Sequence, residues 1–375
     1  MPLTHNLSYF CIMGTREFLN SAIIFITGLL VLLPGCRKES SSPASRTYRM
    51  GFQDSAPRFD SLNLAIEVLN IWTPNSDAAI VSTEVPWDSL LNGQDPVPYV
   101  VNNYVGLVSY YRQQNLKLWV YIDPANGLNR ASDADELVAA GKSIAQANIQ
   151  KIYRRFAVVM DSLLKPDHLG LALETNLIRY ESPDSIYQGV KTAANAAVAD
   201  VRAVDPTVKL SVSVQADLAW GNITGTGTYV GVAQDFTDFP FIEELGISSY
   251  PYFNTALPGD LPADYYSRLV EGKSLPVFVS EGGWTSQTIT GFSSNIITSS
   301  PQIQQDYITR QSQLLDEAQA IAVFQLTFTD IDISSLPANT NPTIKYFAYL
   351  GLVDVNLVAR PSWATWKGIF ARPLK

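Results

Sequence analysis

Cysteine and histidine are nearly missing from these 375 residues, with two of each. Cys11 and Cys36 both lie near the N-terminus, so the body of the chain has no disulfide framework and no thiolate metal site. His5 falls in the leader. A serine–histidine–aspartate mechanism or a histidine-rich zinc site would therefore have to rest on His168 alone. Acid–base chemistry is left mainly to carboxylates and tyrosines. Charge is scarce as well: 16% of residues are charged, and the net charge is −9. An acidic chain without a basic cluster argues against a nucleic-acid partner, because such binding rests on Lys and Arg contacts to phosphate. No metal ion or cofactor is expected, and the chain is read as a monomer.

No apolar run is long enough to be a comfortable transmembrane helix. Ser21 to Leu33, with Arg16 before it, suits the core of a signal peptide. Leu33-Pro34-Gly35-Cys36 closes this run and resembles a bacterial lipobox. The resemblance implies cleavage before Cys36, acylation of its thiol and tethering to the bacterial envelope, at the outer membrane or cell surface. A plain cleaved signal with an incidental cysteine is the alternative, and Met13 is a second candidate start. Residues 37–46 are polar and Ser-rich and read as a flexible tether.

What the chain does contain is 46% hydrophobic residues, enough for a large core; one α/β barrel of ordinary size uses nearly all of it. From Thr47 to Lys375, short apolar strands alternate with helical stretches, the pattern of a parallel α/β fold. Eight strands are expected: Tyr48–Phe52, Ala78–Thr83, Leu116–Ile122, Leu169–Leu173, Leu210–Val214, Leu245–Ser249, Leu275–Ser280 and Ile321–Thr327. Ile149, Ile152, Phe156, Val159 and Leu163 step by three or four, which predicts one buried helical stripe. Ser182-Pro183-Asp184 and Ser300-Pro301 read as N-caps followed by proline. The pattern predicts a single (β/α)8 barrel over 47–375.

Strand parity locates the candidate site. Gly170, Ala172 and Glu174 share one face of the fourth strand; Ser211, Ser213 and Gln215 share one face of the fifth; Gly246, Ser248 and Tyr250 share one face of the sixth. Small residues then fill the barrel, and the last inward position is polar. Glu84, Asp123, Glu174, Gln215, Tyr250 and Glu281 are expected to ring the end where such barrels place catalytic groups. Glu281 ends a buried strand, and Gly282-Gly283 lets the backbone turn sharply after it. Glu174 and Glu281 form the expected catalytic pair. A retaining glycosidase needs two carboxyl groups about 5–5.5 Å apart, one as acid/base and one as nucleophile. Trp87, Trp220, Tyr250, Tyr252 and Trp284 are candidate stacking faces for sugar rings, while Trp119, Trp363 and Trp366 are assigned to the core.

Three segments carry a family resemblance: Lys165-Pro166-Asp167-His168-Leu169-Gly170-Leu171-Ala172-Leu173-Glu174-Thr175-Asn176, then Gly246-Ile247-Ser248-Ser249-Tyr250-Pro251, then Pro276-Val277-Phe278-Val279-Ser280-Glu281-Gly282-Gly283-Trp284. Gly351-Leu352-Val353-Asp354 before Arg360-Pro361-Ser362-Trp363 adds to it. From about Tyr48 onward the chain resembles the clan A glycoside hydrolases, and within them the family 53 endo-β-1,4-galactanases. The resemblance implies Glu174 as acid/base, Glu281 as nucleophile and Tyr250 as the tyrosine contacting the nucleophile. It implies an oligo- or polysaccharide substrate, with Glu84, Trp87, Asp123, Asn176, Gln215, Trp220, Tyr252 and Trp284 as candidate substrate contacts. Leu173 stands where the clan has Asn, the strand-eight Trp is missing, and Glu84 lies where a strand-two Arg would be. A non-catalytic glycan-binding lipoprotein is therefore an open alternative. A Schiff-base enzyme would want an inward strand-end lysine, and only Lys117 lies in a strand. A metal enzyme using Glu84 and Asp123 has no specific spacing behind it.

If Cys36 is the lipid acceptor, Cys36→Ser should block processing or release the protein to the soluble fraction. Membrane fractionation and the mass of the mature N-terminus check this. Unchanged membrane association without a lipid would exclude the anchor.

Overall fold

A computed structural model describes residues 45–53, 55–292, 295–338 and 340–375. The expected leader, Cys36 and residues 37–44 of the expected tether lie outside the described residues. Eight strands form one parallel sheet: β1 (Arg49–Phe52), β2 (Ala78–Glu84), β3 (Lys117–Asp123), β4 (His168–Gly170), β5 (Lys209–Gln215), β6 (Glu244–Ser249), β7 (Val277–Gly282) and β10 (Ala322–Gln325). A hairpin of β8 (Ile289–Phe292) and β9 (Asn295–Ile297) rises from the loop after β7. The sheet order is β1-β10-β7-β6-β5-β4-β3-β2. Its two edges meet through a parallel bridge between Gln53 and Ile80. The Asp77 N–H donates to the Met50 carbonyl, and the Met50 N–H donates to Asp77 Oδ1 at 2.6 Å. The sheet is thus a nearly closed barrel with helices outside, the single (β/α)8 architecture expected from the alternation.

The helices follow local rules with two departures. Ser300 caps the helix Pro301–Glu317 by accepting from the Ile303 N–H, with Pro301 at its first position. Ser182 does not cap Asp184–Val204; its hydroxyl turns to the Pro183 carbonyl. In Ala147–Leu164 the buried stripe runs through Ile149, Tyr153, Phe156, Met160 and Leu164. Ile152, Val159 and Leu163 flank it, partly buried, so the expected stripe is rotated. Arg46, assigned above to the tether, belongs to the barrel: it is buried, pairs with Asp77 at 2.7 Å, and its backbone pairs with Pro373 and Lys375.

The barrel interior explains why its inward positions are small. Ala78, Ile80, Trp119, Tyr121, Leu173, Phe278, Ala322 and Phe324 form one buried cluster. Trp119 stacks on His168 at 3.8 Å between ring centres, and His168 Nδ1 lies 2.8 Å from Glu244. Tyr121 fills the space left by two glycines. A Cβ at Gly170 would sit 2.3 Å from its ring, and one at Gly246 would sit 2.3 Å from its hydroxyl. The bulk comes from β3, so β4, β5 and β6 must be Gly and Ser there.

Gly246→Ala is expected to destabilise the fold by about 1–3 kcal/mol, the usual cost of overpacking. Gly259→Ala, where an added Cβ meets nothing within 4 Å, serves as the control. Denaturant midpoints measure both; equal midpoints would contradict this account of the interior.

Candidate active site

The carboxyl-terminal ends of the strands carry the groups expected there. Glu84 and Asp123 are register partners at the ends of β2 and β3. Gln215 ends β5, Tyr250 follows β6, and Glu281 stands near the end of β7. Two local irregularities put the glutamates where they are. Strand β4 ends at Gly170, three residues before the expected end. Leu173 turns into the barrel cluster, and Glu174 adopts φ +48° and ψ +46°. This left-handed backbone is unfavourable for a glutamate and is held by its surroundings. The Ser213 hydroxyl oxygen accepts the Glu174 N–H at 2.9 Å. In β7 the register against β6 slips by one residue, from Ile247 opposite Val279 to Ser248 opposite Glu281. Phe278 lies in the barrel cluster, so strict alternation would send Glu281 outward. The bulge at Ser280 re-aims it.

A chain of short contacts then ties the acids together. Arg130, in the loop after β3, donates from Nη1 to Asp123 Oδ2 at 2.6 Å and from Nε to Glu174 Oε2 at 2.8 Å. The Ser248 hydroxyl donates to Glu174 Oε1 at 2.5 Å. Glu281 lies near enough to feel the charges of Glu174, Arg130 and Asp123. Asp123 Oδ1 accepts the Ala125 N–H at 3.0 Å, and Glu84 Oε1 accepts the Gly127 N–H at 2.8 Å.

The electrostatics follow from burial of like charges. Burial, then the charge of Glu174, raises Glu281 to about 8, with Arg130 and Ser248 pulling the other way. Burial, then Asp123, raises Glu84 to about 7. Burial also raises Asp123, against the opposing pull of Arg130. For Arg130, burial alone would weaken the cation, but Asp123 and Glu174 more than offset it. Tyr250 stands close enough that, after burial, the charges of Glu281 and Glu174 push its phenol up. Among the described residues no hydrogen bond joins Tyr250 to Glu281; Tyr250 feels Glu281 through its charge.

Several expected substrate contacts are used elsewhere. Trp87 is fully buried under the loop after β2, and Trp284 is buried against Tyr252 and Tyr307 with its indole N–H on Ser299. Tyr252 is buried and donates to the Tyr346 carbonyl. These three rings present no open face, because the loops after the strands fold over them. Trp220 is half-buried, stacks on Tyr265 and carries Arg268 5.2 Å from its ring centre. Asn176 spends its amide on the backbone of Gln215, and Gln215 spends its side-chain oxygen on the Leu218 N–H. The partly exposed aromatic wall is formed instead by Phe253 and Phe347 packed beside Tyr250. Trp119, Trp363 and Trp366 are core, as expected. Arg130 and Ser248 were not singled out from sequence. Ser248 had a signal, as the inward residue before Tyr250; Arg130, in a loop, had none. Among the described residues no group of three or more His, Cys, Asp or Glu is placed to hold a metal ion.

Because the folded protein holds a proton on Glu281 that an unfolded chain releases near its ordinary value, stability should fall as pH rises from about 4.5 to about 8. Glu281→Gln removes that penalty. It should stabilise the protein more at pH 8 than at pH 5, by on the order of 1–3 kcal/mol. Thermal melts at both pH values test this; an equal effect at both would contradict the buried proton.

No family model matches the chain, and no curated protein does. Solved structures do. A GH53 catalytic domain from Ignisphaera aggregans superposes with a TM-score of 0.60 at 15% identity, covering 90% of this chain and 98% of that one. A β-glucosidase from Thermotoga maritima gives 0.58 at 10% identity, covering 84% and 87%. An exo-β-1,4-mannosidase from Opitutaceae bacterium strain TAV5 gives 0.59 at 14%, covering 87% of this chain and 59% of that one, so this chain spans under two thirds of that enzyme. At these identities the likeness is one of fold, a single (β/α)8 barrel.

Proposed function

We propose that this chain is a retaining glycoside hydrolase that cleaves a β-linked glycan by double displacement, anchored to the bacterial envelope through Cys36. The observation that carries the reading is the placement of Glu174 and Glu281 together at the carboxyl-terminal end of the barrel, near enough that the charge of Glu174 raises Glu281. A retaining glycosidase needs two carboxyl groups that close, one on each side of the glycosidic bond. In this mechanism Glu281 attacks the anomeric carbon while Glu174 protonates the leaving oxygen. Glu174 then takes a proton from the water that releases the sugar. The similar solved structures, a mannosidase and a β-glucosidase among them, support a β-linked saccharide as substrate. The aromatic wall of Tyr250, Phe253 and Phe347 supplies an apolar surface for a sugar ring.

A second reading, a glycan-binding protein without turnover, is favoured by one observation. Leu173 is buried in the barrel cluster, so no amide stands before Glu174 to meet a sugar hydroxyl.

The two glutamates differ in duty, so their variants should differ in kind. Glu281→Ala is expected to abolish hydrolysis of every substrate. Glu174→Ala should slow ordinary glycosides by roughly 10²–10⁴-fold, the usual worth of general acid catalysis. It should spare the first step on aryl glycosides with good leaving groups, and azide should rescue it. Steady-state kinetics on a panel of β-glycosides decides: full activity in Glu281→Ala refutes the assignment. Binding to a glycan array with no hydrolysis by the unaltered protein favours the second reading.

A further inference from the structure

Of the candidate catalytic residues, Glu174 alone has a left-handed backbone, and the residues around it show what holds it there. Past Gly170 the backbone ladder between β4 and β5 continues for two bonds. The Leu171 N–H donates to the Ser211 carbonyl at 3.0 Å, and the Ser213 N–H donates to the Ala172 carbonyl at 3.0 Å. From Glu174 onward side chains take over. The Ser213 hydroxyl oxygen accepts the Glu174 N–H, and the Asn176 side-chain amide pairs with both the N–H and the carbonyl of Gln215, as a neighbouring strand would.

Thr175 turns the other way. It is fully buried, and its hydroxyl donates to Asp235 Oδ1 at 2.8 Å, with the Ser213 carbonyl a second, longer acceptor at 3.3 Å. Asp235 lies 60 residues further on, in the helix Ala233–Asp238, and is fully buried too. Arg179, one turn after Thr175 on the helix Thr175–Glu181, grips the same carboxylate with Nη1 at 2.9 Å and Nη2 at 2.8 Å. One carboxylate thus accepts from two side chains spaced i and i+4 on one helix. These bonds are charge-assisted and lie away from water, where such bonds are strong.

We propose that Thr175, Asp235 and Arg179 are positioning residues for Glu174: Asp235 anchors the first turn of the helix that follows Glu174, and this anchor fixes the left-handed backbone that aims the Glu174 carboxyl into the barrel mouth. The catalytic consequence rests on the glycosidase reading; the anchor itself rests on geometry. A left-handed backbone at an L-residue persists only where its surroundings over-determine it. Upstream, Leu173 is packed in the barrel cluster. Downstream, Thr175 is fixed to Asp235 and Asn176 to Gln215. Pinned on both sides, Glu174 meets Arg130 and Ser248 with its two oxygens. Loss of the downstream pin lets the turn relax, and a catalytic group displaced by about 1 Å can lose about 10²-fold in rate.

Thr175→Val keeps the shape of the side chain and removes the donor; Thr175→Ser restores the donor. Lys191→Met is the control, because it breaks a pair to Asp238, on the same helix as Asp235, without touching Thr175. The first measurement needs no substrate. Hydrogen exchange of the full chain, read by mass spectrometry on peptides spanning Leu173–Ile178, should speed up in Thr175→Val by about tenfold, the worth of one charge-assisted hydrogen bond. It should stay at the wild-type rate in Thr175→Ser and Lys191→Met. The second measurement is kinetic. In Thr175→Val, kcat/KM should fall by about 10–10²-fold on glycosides with poor leaving groups. It should keep its wild-type value on aryl glycosides with good leaving groups, which need no protonation. A merely structural loss would lower both classes alike, so the split between leaving groups isolates positioning. If Thr175→Val does not fold, Thr175→Ala removes the same hydroxyl. Unchanged exchange around Glu174, or equal kinetic losses on both classes of glycoside, overturns the proposal. No hydrolysis of any glycoside by the unaltered protein, with the exchange as expected, overturns the glycosidase reading and leaves the anchor standing.

Discussion

Carboxyl groups gathered in one buried barrel mouth cannot all be ionised cheaply. Most of the site's arrangement answers this constraint. Arg130 pairs with both Asp123 and Glu174, and the Ser248 hydroxyl donates to Glu174. Burial and the charge of Glu174 raise the carboxyl of Glu281. Glu84 and Asp123 extend the same problem to the neighbouring strand ends, where backbone N–H groups of Gly127 and Ala125 supply part of the compensation.

The backbone bears the cost of this placement. Glu174 sits in a left-handed conformation that an L-residue seldom adopts, and β7 carries a bulge that reverses the side-chain alternation before Glu281. Both irregularities lie at the same end of the barrel, and both aim a carboxyl group inward. The regular part of the barrel below them is stiff. Trp119 and Tyr121 fill it, with Gly170 and Gly246 giving them room. A rigid, close-packed floor lets strained groups persist above it.

The loops decide what a ligand meets. Rings that appear well placed in the chain, Trp87, Tyr252 and Trp284, are covered by the loops in which they lie, and Asn176 and Gln215 satisfy each other and a short helix. The accessible aromatic surface passes to Phe253 and Phe347, which have no distinguishing sequence context.

The amino-acid sequence by itself determined the barrel, because alternating apolar strands and amphipathic helices are local patterns that only a few layered folds can bury. It also marked Glu84, Asp123, Glu174 and Glu281 as strand-end acids, since polar residues closing apolar strands are visible in one dimension. It predicted that small residues line β4 to β6, though not that β3 supplies the bulk they accommodate. Only the tertiary structure decided which way Glu281 faces, because a bulge is a relation between two strands and parity within one strand does not contain it. Likewise Arg130 and Glu174 are 44 residues apart, and their ion pair exists because the loop after β3 folds over the barrel mouth. Long-range closure of that kind depends on packing and charge in three dimensions, which no local pattern records.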